Sequence, residues 1–111
     1  MSENQRRKAA NEAVFREVNE RIESLQRGFA VAERQPLNIV CECGRLDCAE
    51  QISVDVDTYE KVRSDSTLFL VLPGHDDESV EDVFDASSAY VIVQKSPGDP
   101  QAIAEQTDPR S

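Results

Sequence analysis

Large apolar side chains fall at Phe15, Val18, Ile22, Leu25 and Phe29, in steps of three and four, and the positions between them are polar or small. That is the period of a helix with one apolar stripe, and it predicts a long helix from about Asn4 to Glu33, with Val14 beside the stripe. Glu12 precedes Arg16, Glu17 precedes Arg21 and Glu23 precedes Arg27, each at a spacing of four. Such acid-before-base pairs add roughly 0.2–0.5 kcal/mol apiece to a helix. Gly28 marks an end or a bend, since glycine costs about 1 kcal/mol inside a helix, and Gln35-Pro36 closes the segment.

The period then changes to two. Leu37, Ile39, Cys41 and Cys43 share one side of an extended run that enters a tight turn at Gly44, and the β-branched stretch Gln51 to Val54 reads as the return strand of a hairpin. Asp55 is placed to cap a short helix from Val56 to about Ser64, with Val56, Tyr59 and Val62 facing inward. Leu68 to Leu72 is a continuous apolar run and predicts a buried strand. Val80 to Phe84 and Tyr90 to Val93 predict two further strands around a polar turn from Asp85 to Ala89. After Lys95, proline, glycine and aspartate predict at most one helical turn around Ala102 to Glu105. The fold class expected is α+β: a long N-terminal helix (1–35), a small antiparallel sheet with a metal-clamped Cys hairpin and one short helix (36–95), and a flexible C-terminal tail (96–111).

Composition sharpens this picture. Of 111 residues, the first dozen and the last sixteen carry few large apolar side chains, so roughly eighty remain to build a core that contains no Trp. A core of that size is marginal, and small domains commonly depend on a metal, a disulfide or a partner. The formal charge of -10 disfavours non-specific nucleic-acid binding, and the Arg6-Arg7-Lys8 cluster reads as a solvated helix face. No apolar run reaches the length of a membrane span and no signal-peptide core is apparent, so a cytoplasmic protein is expected. Three cysteines form an odd set, with two of them a single residue apart, which fits metal ligation in a reducing compartment better than a disulfide framework.

The candidate chemistry lies in Cys41-Glu42-Cys43-Gly44-Arg45-Leu46-Asp47-Cys48, with three thiols in eight residues. Alternation puts Cys41 and Cys43 on one side, and a turn at Gly44 brings Cys48 back towards them. Zinc prefers four tetrahedral nitrogen and sulfur ligands, so three thiolates call for a fourth. His75, the single histidine, follows the buried strand in the turn Pro73-Gly74-His75 and is the first candidate, with Asp47, Asp76 or an external ligand as alternatives. A filled site with three thiolates is a poor Lewis acid, and the chain lacks the H-x-E and P-C-x-x-C pattern of zinc deaminases. One histidine and four glycines leave no room for a phosphate loop or a Ser/His/Asp set.

The segment from Asn11 to Ile22, the Cys-Glu-Cys-Gly run with its third Cys, Tyr59-Glu60 before Val62-Arg63, Pro73-Gly74-His75 and Thr107-Asp108-Pro109-Arg110 together cover most of the chain. In this combination it resembles a family of short uncharacterised bacterial proteins, mainly actinobacterial. The resemblance supplies no activity, but it implies that the cysteines and His75 belong to one shared pattern. The leading expectation is a non-enzymatic, zinc-stabilised interaction or regulatory protein. Its helix stripe (Phe15, Val18, Ile22 and Leu25) would contact a protein partner or a second copy, with the Leu25 and Phe29 end the part most readily buried within the chain. The alternatives are a small metalloenzyme or thiol-based redox sensor using the Cys cluster, and a transcription-associated factor that binds protein through the N-terminal helix.

Overall fold

The computed structural model describes residues 1–28 and 35–110. Helix α1 spans Glu3–Gly28; the stretch predicted to continue it to Glu33, including Phe29, lies outside the described residues. Strands β1 (Leu37–Val40) and β2 (Gln51–Val54) form an antiparallel hairpin in which Leu37 opposes Val54 and Ile39 opposes Ile52. Helix α2 (Val56–Arg63) starts where predicted, with the Asp55 carboxylate accepting from the Thr58 N–H. A second antiparallel sheet has the order β3-β5-β4, built from β3 (Leu68–Val71), β4 (Glu81–Ala86) and β5 (Val91–Lys95). Helix α3 (Asp99–Gln106) ends the chain's regular structure.

The α+β architecture is the one predicted, with two differences. The strands divide into two sheets, because only backbone bonds at one point join them: the Glu42 N–H donates to the Leu70 carbonyl at 2.8 Å. The C-terminal segment holds an eight-residue helix where the sequence predicts one turn at most. Pro100 fits its first turn, since proline lacks the N–H that a helix start leaves unused. Its buried face is small: Ala104 is covered while Ile103 is half-buried, a signal too weak for periodicity to detect.

The apolar core joins Leu37, Ile39, Ile52 and Val54 of the hairpin, Tyr59 and Val62 of α2, and Leu68 to Val71 with Val91 to Val93 of the larger sheet. Among the described residues no α1 side chain belongs to this buried set; Ile22 packs against its edge. What α1 buries instead is a polar stripe, Glu12, Arg16, Asn19 and Glu23, each at most 4 % exposed. Its apolar residues turn outward. Val14, Val18 and Leu25 are 57, 39 and 64 % exposed, so the Leu25 end is not the buried part of the stripe. Phe15 and Ile22 are half-buried.

The polar stripe is held because its targets are polar and buried too. The Asn19 side-chain amide accepts from the Val40 N–H at 2.8 Å and donates to the Val40 carbonyl at 2.9 Å, pairing β1's edge as a neighbouring strand would. Arg16 lies over the Phe69 ring and donates to the carbonyls of Ser66 and Ala104 and to the Thr107 hydroxyl, tying the α2–β3 turn and α3 to the helix. Arg110 bonds Glu20, Glu23 and Glu60, so the C-terminal segment bridges α1 and α2.

Candidate metal centre

Cys41 and Cys43 follow directly on β1 and are buried with Leu37 and Ile39; all four are at most 1 % exposed. Gly44, at φ +74°, then turns the chain through a conformation that L side chains rarely adopt. It is also pressed under α1: a Cβ there would stand 2.6 Å from the Lys8 carbonyl oxygen and 2.7 Å from Glu12 Cγ. Both the turn and the close approach require glycine. The loop closes with a Cys48 N–H to Arg45 carbonyl bond at 3.2 Å, and the third thiol returns to the first two.

The fourth side chain arrives from the other sheet. Because the Cys41–Cys43 run lies beside β3, the turn after β3 opens directly over the thiols. Gly74 (φ +84°) forms that turn, closed by the His75 N–H donating to the Leu72 carbonyl at 3.0 Å. His75 Nδ1 stands 3.8 Å from Cys41 Sγ and 3.6 Å from Cys48 Sγ. The ligand atoms of Cys41, Cys43, Cys48 and His75 all lie within 4.8 Å of one another. Among the described residues this is the set of His, Cys, Asp and Glu side chains close enough to share an ion, and neither Asp47 nor Asp76 belongs to it. The three cysteines are free and form no disulfide.

The surroundings act differently on the three sulfurs. The Leu72 N–H donates to Cys41 Sγ at 3.2 Å. Hydrogen bonding from the Cys41 thiol brings Cys43 down to about 4, with the Arg45 N–H also helping its thiolate. Cys41 is pushed up by that same bond and then by burial, and burial raises Cys48. A cation beside the cluster would favour all three sulfurs as thiolates.

No family model, curated protein or solved structure matches this chain.

Reading the sequence alone misses the group that positions the thiols. Glu42, between two of them, points the opposite way and is fully buried. Its carboxylate accepts from Arg63 Nη2 at 2.6 and 2.8 Å, from Asn19 Nδ2 at 2.7 Å and from the Leu70 N–H at 3.0 Å. Four hydrogen bonds from three donors on α1, α2 and β3 thus lock the residue whose neighbours carry sulfur. The signal was the alternation itself: if Cys41 and Cys43 face one side, Glu42 must face the other, and a buried carboxylate needs partners. Of the expected helix contacts, Val18 and Leu25 stand exposed, with Phe15 and Ile22 half-buried. No described helix is long and apolar enough to cross a membrane.

Proposed function

We propose that Cys41, Cys43, Cys48 and His75 hold one structural Zn²⁺, and that the protein is a non-enzymatic, zinc-stabilised interaction or regulatory protein whose contact surface is the outward face of α1. The observation that carries this is the convergence of three reduced thiols and one imidazole from two separate turns. Zinc bonds thiolate at about 2.3 Å and imidazole at about 2.0–2.1 Å, so tetrahedral sulfur and nitrogen ligands stand about 3.5 Å apart. The 3.6 and 3.8 Å separations from His75 match that edge. Soft sulfur with one imidazole selects zinc over the harder divalent ions. Four protein ligands fill the ion and leave no place for a reacting water, the condition of a structural site.

The interaction role rests on α1. Val14, Val18 and Leu25 stand exposed on one side of the helix, and apolar side chains grouped on one face suit contact with a protein partner or a second copy. Membership of the short actinobacterial family that the motifs resemble is part of the same reading.

The test is metal analysis. Protein purified without added metal should contain near-unit zinc, and a chelator should unfold at least the cysteine hairpin, because binding free energy in such sites is folding free energy. His75→Ala should loosen zinc at least about tenfold, whereas Asp76→Ala should not. A metal-free protein with an unaltered fold, or unchanged affinity in His75→Ala, removes the four-ligand clamp.

A further inference from the structure

The first turns of α1 rest on the two loops that carry the metal ligands, and ahead of them the Met1 amino group pairs with Asp99 of α3 at 3.6 Å. Asn11 Nδ2 donates to the Gly44 carbonyl at 3.1 Å, one residue beyond Cys43, where helix and loop are already in backbone contact at Lys8. Lys8 Nζ donates to Asp77 Oδ2 at 3.0 Å, two residues beyond His75, and Gln5 Nε2 donates to Ser79 Oγ at 3.3 Å. From Glu12 onward the attachments change. Glu12 accepts from Lys95 of β5, and Arg16 binds Ser66, Ala104 and Thr107. These anchors belong to or adjoin strands and helices held by backbone hydrogen-bond ladders, whereas the ligand loops enter the core chiefly through the three cysteines. The N-terminal third of α1 therefore has polar struts to the ligand loops and no place in the buried core.

We infer that metal occupancy controls whether residues 3–11 of α1 are docked. This rests on the reading of the Cys/His cluster as a metal site, and adds to it a mechanical output. The ion fixes the Gly44 turn and the 75–79 segment relative to each other, and only their joint placement matches Gln5, Lys8 and Asn11 along one helix face. When the ion leaves, the loops separate and the struts lose their registry. Without the struts the segment is only the end of a longer helix, where each added residue gains little in water, so it frays back towards the Glu12 anchor. Linkage makes the coupling reciprocal: docking the helix tightens the metal by the same factor by which the metal favours docking.

The experiment uses the full chain, with metal content measured in every sample. Peptide-resolved hydrogen exchange compares loaded and chelated protein. Removal of the metal should speed exchange at least about tenfold in the amides of residues 3–11 while β3, β5 and the helix beyond Glu12 stay protected. In a second arm, Lys8→Ala combined with Asn11→Ala removes struts but no ligand. That protein should still bind one metal, should show the same fraying when loaded, and should bind the metal about 5- to 150-fold more weakly, the usual span of a coupling between sites. Absence of bound metal overturns this inference together with the clamp. Metal bound stoichiometrically, with protection of residues 3–11 unchanged on its removal, overturns the docking alone. So does loss of protection throughout the domain, or a double variant with unaltered affinity and exchange.

Discussion

Arg63→Met tests whether the buried pair under the cysteine loop holds the fold as its geometry requires. The Arg63 and Glu42 side chains are 1 and 0 % exposed and meet at 2.6 Å. Replacing the guanidinium with an apolar chain leaves a carboxylate sealed from water, with only Asn19 Nδ2 and the Leu70 N–H as donors. Removing one partner of a buried pair costs about 3–5 kcal/mol, against a total stability on the order of 5–15 kcal/mol for a domain. Glu42→Gln should also destabilise, because it strands Arg63, whose Nε and Nη1 already have no partner. An amide oxygen at position 42 can still accept from Leu70. The double substitution Glu42→Gln/Arg63→Met should therefore cost at least about 2 kcal/mol less than the sum of the two singles. Urea unfolding of the four metal-loaded proteins measures this cycle, and zinc analysis of each controls for disturbance of Cys41 and Cys43. Additive losses, or an Arg63→Met cost under about 1 kcal/mol, would refute the claim that the charge of Glu42 is compensated mainly by Arg63.

Glu12 predicts a pH dependence. Burial pushes its carboxyl up to about 7 from an ordinary 4.5, against the opposing pull of Lys95 and Lys8, with Glu81 adding to the rise. A carboxyl raised on folding contributes stability that is complete below 4.5 and is lost as pH rises through 7. From about pH 5.5 to about pH 8 the wild type should lose about 2 kcal/mol relative to Glu12→Gln; parallel denaturation profiles over that range would contradict the assignment. For the outward stripe, Val18→Glu with Leu25→Glu should leave unfolding within about 1 kcal/mol of wild type, as exposed positions do, while lowering the molecular mass of a self-associated species or releasing a bound partner. A wild type that is monomeric by light scattering and keeps its partner after the substitution would exclude α1 as the contact surface.

Much of this molecule is local and therefore legible in the amino-acid order. Alternation placed Leu37, Ile39, Cys41 and Cys43 on one buried side, and Asp55 caps α2 as its position before Val56 required. The continuous apolar run at Leu68 became the strand covered along its whole length. The thiol cluster was readable from spacing because a two-residue period and one glycine turn suffice to bring three sulfurs together. The contribution of His75 depended on one nonlocal fact, that the Cys41–Cys43 run lies beside β3. No periodicity encodes that, and the Glu42 to Leu70 bond decides it.

The orientation of α1 is where sequence and fold part. Its apolar spacing predicts burial of Leu25, yet Glu12, Arg16, Asn19 and Glu23 are what the domain covers. Apolar periodicity identifies an inward face only when the surface receiving the helix is itself apolar. Here that surface presents the Lys95 ammonium, the Glu42 carboxylate, and the backbone groups of Val40, Ser66 and Ala104. Each of these needs a polar partner once water is excluded, and each is separated from its helix residue by 21 to 88 positions in the chain. The sequence by itself determined the elements and the cluster of sulfurs. Which face of the long helix is inside, and that a histidine closes the cluster, were decided by contacts that exist only after β3 and β5 have brought those buried polar groups together.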